Sequence, residues 1–106
     1  MRKGRIILVP FPFTDLSGQK VRPALILHVS RGEDCIVAFI SSAKEKKSPF
    51  MIPIRVTVGN GLKVDSILRV DKIATLQKKI VMGELGVIDV HTRVAVDVTL
   101  KKLLGI

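Results

Sequence analysis

Short runs of aliphatic and β-branched residues, each cut off by turn-forming residues, set the limits on what this chain can fold into. RIILV at 5–9 stops at Pro10, ALILHV at 24–29 stops at Ser30, and CIVAFI at 35–40 stops at Ser41-Ser42. Runs this short, bounded by Pro, Gly and Ser, read as strands. The second and third are apolar almost without a break, which predicts burial on both faces. Ser30–Asp34 between them predicts a hairpin turn. A fourth strand is expected over Phe50–Val58, followed by a turn at Gly59-Asn60-Gly61. Val64–Ala74 reads as two strand pieces, Ser66–Val70 and Asp71–Thr75, and Lys78–Met82 as a short sixth strand before a turn at Gly83. Residues 10–23, PFPFTDLSGQKVRP, hold no period and are expected to form a long loop. Loops beyond about 12 residues inside a compact domain are usually functional or disordered.

From Asp89 the period changes. Val90, Val94 and Val98 recur every fourth residue, which predicts a helix with that stripe on its apolar face. Asp89 can cap its start, Gly105 can end it, and Lys101 and Lys102 suit the negative end of its dipole. No central helix separates the strands. The expected class is therefore mainly β with one C-terminal helix, as a strongly curved sheet or partly closed barrel.

A length of 106 residues predicts one domain, 1–106. Its 47% hydrophobic content, spread along the chain, excludes intrinsic disorder. No apolar run approaches the about 20 residues that a membrane-spanning helix needs. Pro10 and Pro12 interrupt the apolar run after the basic start, so no secretory signal is expected. Cys35 is the one cysteine, which excludes an intramolecular disulfide and a multi-cysteine zinc site and fits a reducing cytoplasm. Lys and Arg number 18 against 9 Asp and Glu, so the net charge is 18 − 9 = +9. That balance points to a polyanionic partner, nucleic acid first.

Most catalytic chemistries lack their residues. His28 and His91 have no ligand-spaced partner, so no metal or cofactor is expected. A Cys35–His28 nucleophile pair has only sequence proximity behind it, and Cys35 reads better as a small buried hydrophobe. No Gly-x-x-x-x-Gly-Lys-Ser/Thr phosphate loop occurs. One constellation survives. Lys20 and Arg22 precede the second strand, and Ser41, Ser42, Lys44, Lys46 and Lys47 follow the third. If those strands form a hairpin, Arg22 and Ser41 meet at one end of the sheet. A guanidinium beside hydroxyl donors suits a phosphodiester. Pro23 favours extended backbone at Arg22. Phe11 and Phe13 could stack on unpaired bases or anchor the loop on the core.

These residues also carry a family resemblance. Lys3-Gly4-Arg5-Ile6 leading into LVPFPFTDLSGQKVRPALIL (8–27) resembles the start of the MazF/PemK-like toxins. The likeness continues in Phe39-Ile40-Ser41-Ser42, in Gly61-Leu62-x-x-Asp65-Ser66 and in Asp71-Lys72-Ile73-x-Thr75, and so covers nearly the whole chain. It implies an SH3-like barrel of the MazF/PemK/CcdB type with a C-terminal helix, usually homodimeric. The implied activity is metal-independent, sequence-specific cleavage of single-stranded RNA. The implied partner is an antitoxin whose acidic or disordered tail covers the RNA groove. Carried over, Arg22 and Ser41 are the catalytic positions. Phe13, Thr14, Asp15, Lys20, Ser42, Lys44, Ser66 and Arg69 are RNA-binding positions, and residue 71 falls in the same groove-lining strand. Asp15 is the candidate general base. Arg5 stands where the family usually has Asp, and Ser41 replaces the commoner Thr. A non-catalytic binder on the same barrel, such as a CcdB-like gyrase poison, would not need the Arg22/Ser41 pair.

Overall fold

The computed structural model describes residues 1–11, 20–42 and 47–106, apart from the Phe11 side chain. Among these residues the chain forms β1 (Arg5–Phe11), β2 (Lys20–Val29), β3 (Asp34–Ser41), β4 (Met51–Ile54), β5 (Ser66–Gln77), β6 (Gly83–Val87) and α1 (Val90–Leu104). The strands make one sheet in the order β4-β5-β3-β2-β1-β6, and every paired neighbour is antiparallel. The mainly β class with a C-terminal helix is what the apolar runs predict.

Both faces of the central strands are covered, as their unbroken apolar runs require. Ile6, Leu25, Ala38, Ile40, Ile54, Leu68 and Val70 fill the concave side together with Val96 of α1. Ile7, Val9, Ala24, Ile26, Cys35, Val37 and Leu76 form a second cluster on the other side. Burying each such Val, Leu or Ile contributes about 1.5–3 kcal/mol. Register shifts between Ile6 and Ile7, between Ile26 and His28, and between Ala38 and Phe39 bend the sheet. It curls until the turn after β4 meets the far edge, where the Val87 N–H donates to the Gly59 carbonyl at 2.9 Å.

Several boundaries differ from the sequence expectation. The strands run into the proline-bearing segment: Pro10 pairs with Val21, and Pro23 with Leu8. Both prolines are tolerated because β6 pairs only as far as Leu8 and β3 only from Ala24, so the second edge carries no ladder there. Residues 12–19 of the expected loop lie outside the described residues. The fourth strand stops at Ile54 because the chain turns around the side chain of Asn60, which is 2% exposed. Asn60 Oδ1 accepts from the Thr57 and Leu62 N–H groups, and its Nδ2 donates to the Arg55 carbonyl. The two pieces expected at 66–75 are one strand. It bulges at 70–72, where β3 advances one residue from Ala38 to Phe39 while β5 passes from Ile73 to Arg69.

Lys78–Ile80 is a 3-10 turn and not a strand; β6 follows it at 83–87. Lys78 drives this turn, because its Nζ donates to the Ser30 and Gly32 carbonyls of the β2–β3 hairpin.

The helix has the expected limits: Asp89 Oδ1 accepts from the Thr92 N–H at 2.7 Å, and Gly105 ends it at φ +70°. Its inward face does not. Val90, Val94 and Val98 are 74, 56 and 49% exposed, while Val96, Leu100 and Leu103 pack on the core. Val94 and Val96 point about 200° apart around a helix of 3.6 residues per turn. Two apolar stripes share this helix, and the one with the leucines is buried. No helix among the described residues is long and apolar enough to cross a membrane.

Candidate active site

The site begins with the β2–β3 hairpin. Ala24 lies opposite Phe39 and Leu25 opposite Ala38. The β2–β3 ladder ends at the Ala24–Phe39 pair, and Arg22 and Ser41 each lie two residues beyond it on their own strands, at the same end of the hairpin. Arg22 also faces Val9 of β1, and Ser41 faces Ile67 of β5. Arg22 is half-buried, and the strand on both sides of it, Pro23 included, holds its backbone extended. Among the described residues no carboxylate is in ion-pair contact with Arg22.

Residues directly opposite in a sheet share a face, and successive residues alternate. Arg22, Ala24, Phe39, Ser41 and Arg69 therefore lie on one face, since Arg69 of β5 is opposite both Phe39 and Met51. This face changes character along its length. Cys35 and Val37 on β3, and Ile26 and Ala24 on β2, are fully buried. Phe39, Ser41 and Arg22 beyond them are half-buried, and Lys20 is exposed. The apolar cluster thus opens into a polar, cationic surface at the end where the chain leaves toward 12–19 and 43–46.

Arg69 is held as a fork. Its Nε and Nη2 donate to Asp71 Oδ1 and Oδ2, each at 3.0 Å. The hydrogen bonds from Arg69 hold the Asp71 carboxyl below the usual aspartate range despite some desolvation. The pair is therefore ionised near neutral pH, and its net charge is close to zero. Arg22 is the guanidinium on this face whose positive field is not cancelled by a described carboxylate. Cys35, at the buried end, goes the other way: desolvation, with Asp34 adding to it, raises its thiol above the usual range, so it is a packed hydrophobe.

The structure sorts the remaining sequence candidates. Lys20 shares the face and strand of Arg22, two residues further out. Ser42 is exposed but has the opposite alternation from Ser41. Ser66 does not join the group. It lies with Leu68 and Val70 on the concave side, is 7% exposed, and its Oγ donates to the Val64 carbonyl at 2.9 Å, so it closes the turn into β5. Phe13, Thr14, Asp15 and Lys44 lie outside the described residues. Phe39 was not among the sequence candidates; the signal was its position two before Ser41 in one strand, hence on the same face. Among the described residues no group of three or more His, Cys, Asp and Glu side chains could hold a metal ion.

Comparison with protein families matches residues 2–104 to the model described as PemK-like, MazF-like toxin of type II toxin-antitoxin system. Comparison with curated proteins finds no match. Among solved structures, an endoribonuclease from a mycobacterial species, in complex with its cognate antitoxin, superimposes with a TM-score of 0.80 at 15% identity, covering 100% of this chain and 96% of that one. The Mycobacterium tuberculosis toxin MazF-mt6 gives 0.78 at 18% identity, over 96% of this chain and 97% of its own. MazF from Deinococcus radiodurans gives 0.78 at 20% identity, over 100% and 97%. At these identities the likeness establishes a common fold.

Proposed function

Because the chain belongs to the PemK-like, MazF-like toxins of type II toxin–antitoxin systems, we propose that it is an endoribonuclease that cuts single-stranded RNA. What supports this reading is that Arg22 and Ser41 lie at one end of the β2–β3 hairpin on the same sheet face, each two residues beyond the Ala24–Phe39 pair. The ribose 2′-hydroxyl gives up its proton and attacks the adjacent phosphorus, and the 5′-oxygen leaves and takes a proton from water, giving a 2′,3′-cyclic phosphate and a 5′-hydroxyl. Arg22 stabilises the charge that builds on the phosphorane, and Ser41 donates a hydrogen bond to a phosphate oxygen. Placed donors of this kind are each worth on the order of 10²–10³ in rate. The Asp71-locked fork of Arg69 supplies a rigid second guanidinium for a neighbouring phosphate or base edge. Arginine is a poor proton acceptor, so the 2′-hydroxyl proton goes to a carboxylate. Asp15 is the acceptor proposed from the sequence, and Asp71 is the described carboxylate next to this face.

The same face, being cationic, is where an acidic antitoxin tail would compete with RNA. Three of the structural neighbours are complexes with an antitoxin, one mycobacterial and two crystal forms of MazE–MazF from Deinococcus radiodurans. We place the protein in the cytoplasm, where RNA and antitoxin are met, and expect it to act as a homodimer.

Incubation of the pure protein with long mixed-sequence RNA in EDTA, followed by end mapping, tests the reading. Fragments with 5′-hydroxyl ends are expected, and Arg22→Ala should slow their formation at least about 100-fold. Intact RNA across many sequences would leave the non-catalytic binding module. Cleavage by Arg22→Ala at the wild-type rate would remove Arg22 from the chemistry.

A further inference from the structure

Resting on the toxin reading above, we propose that the outward face of α1 is a docking surface for an acidic amphipathic segment of the antitoxin. Val90, Val94 and Val98 form an exposed stripe that spans about 80° of the helix circumference. Valine is β-branched and a poor helix former, so at exposed positions it weakens the helix and gains no packing within this chain. The helix already buries Val96, Leu100 and Leu103 on its other side. A helix that is apolar on two sides covers one with its own core and leaves the other for a partner. The apolar surface continues past the helix start. Val87, which is 42% exposed, precedes Val90 by three residues, and its N–H bond to the Gly59 carbonyl brings the turn with fully exposed Val58 alongside.

Charge selects the occupant. Lys101 continues the line of valines toward the C-terminal end, and Arg93 and Lys102 flank Val94 at about 100° and 80° to either side. The nearby carboxylates are already engaged: Asp97 pairs with Lys3 at 3.2 Å, and Asp89 caps the helix through the Thr92 N–H. Among the described residues Arg93, Lys101 and Lys102 have no ion-pair partner. A second copy of this chain would set these cations against their own duplicates, on a molecule that carries +9. An acidic segment with one apolar side meets both features: its apolar residues pack on the valines, and its carboxylates pair with the three cations. The surface is also remote from the RNA face. The helix packs on the side of the sheet that holds Leu25 and Ala38, whereas Ala24, and with it Arg22, belongs to the other side. A segment on α1 therefore leaves the RNA face open, and it raises the effective concentration there of any tail joined to it.

The probes are fluorescein-labelled peptides of about 20 residues, enough to lie along α1, that tile the antitoxin encoded beside this protein. Binding is read by anisotropy. An acidic peptide should bind wild type, and Val94→Asp should weaken it at least about 10-fold. Thermal melts and RNA cleavage by Val94→Asp should stay close to wild type, because this side chain is outside the core. The double variant Lys101→Glu, Lys102→Glu should weaken the same peptide and remove most of its salt dependence. Excess 2′-O-methyl RNA, which cannot be cleaved, should leave this peptide bound while displacing any peptide on the RNA face. Equal binding to Val94→Asp and wild type by every peptide overturns the surface. So does binding by none of them while the intact antitoxin still blocks RNA cleavage, and the toxin reading then stands. Loss of a concentration-dependent dimer in Val94→Asp, with peptide affinity unchanged, would give the stripe to a second copy and overturn the proposal. An intact antitoxin that neither binds the protein nor blocks cleavage overturns both readings.

Discussion

Arg22 and Asn60 show how differently single residues are used here. Arg22 stands half-buried with its charge uncancelled by any described carboxylate, so its removal should cost rate and little stability. Arg22→Lys keeps the charge and loses the fork that matches a phosphate, so RNA cleavage by this variant should stay well below wild type in an initial-rate assay. Asn60 is the reverse case, satisfied on every side and buried. Asn60→Ala leaves two N–H groups and a carbonyl without their partner and should cost about 2–4 kcal/mol in urea unfolding. Asp71 has a pH signature. Its pKa is depressed in the folded protein, so the stabilisation from its pairing with Arg69 is present above the usual aspartate range and is lost as pH falls through the lowered folded value. Asp71→Asn should flatten that acid-side loss in a pH series of thermal melts. If Asp71 accepts the 2′-hydroxyl proton, the acid limb of the cleavage profile should flatten with it; if Asp15 does, Asp15→Asn should flatten the limb instead.

At the level of elements, the helix separates what local pattern can and cannot say. Its ends were legible, because Asp89 and Gly105 act on the backbone within a few residues of themselves. Its buried face was not, because two apolar stripes compete and only the surface of β4 and β5 selects between them. Val96→Ala should cost about 2 kcal/mol of stability, and Val90→Ala no more than about 0.5 kcal/mol, both by denaturant titration. Strand ends show the same limit. Pro10 and Pro23 read as breakers in sequence, yet both lie in strands, because their second edges happen to carry no partner. Lys78 opens a 3-10 turn where the sequence predicts a short strand, and its Nζ donates to carbonyls more than forty positions away in the chain.

For the whole molecule, closure of the curled sheet depends on two backbones that touch. A Cβ on Gly61 would strike the Leu85 carbonyl, and one on Gly86 would strike the Gly59 carbonyl; Gly61 also has φ +69°. Gly61→Ala and Gly86→Ala should each destabilise by about 1–3 kcal/mol in thermal or urea unfolding. Their double variant should depart from additivity, since both relieve themselves by opening the same crossing. The net charge of +9 acts at this scale too: RNA affinity should fall linearly with the logarithm of salt, by about 0.7 for each phosphate neutralised. The strand-rich class, the capped helix, the polyanion partner and the β2–β3 hairpin that puts Arg22 and Ser41 at one end of the sheet were all readable in the chain, because each depends on neighbours in sequence or on one hairpin. Which helix stripe is buried, that Ser66 turns inward, and that Phe39 and Arg69 share the face of Arg22 and Ser41 were decided only by the tertiary structure. Those facts depend on β5 bending at 70–72 to meet β3 and β4, and register between strands distant in sequence is set by the packing of the whole sheet.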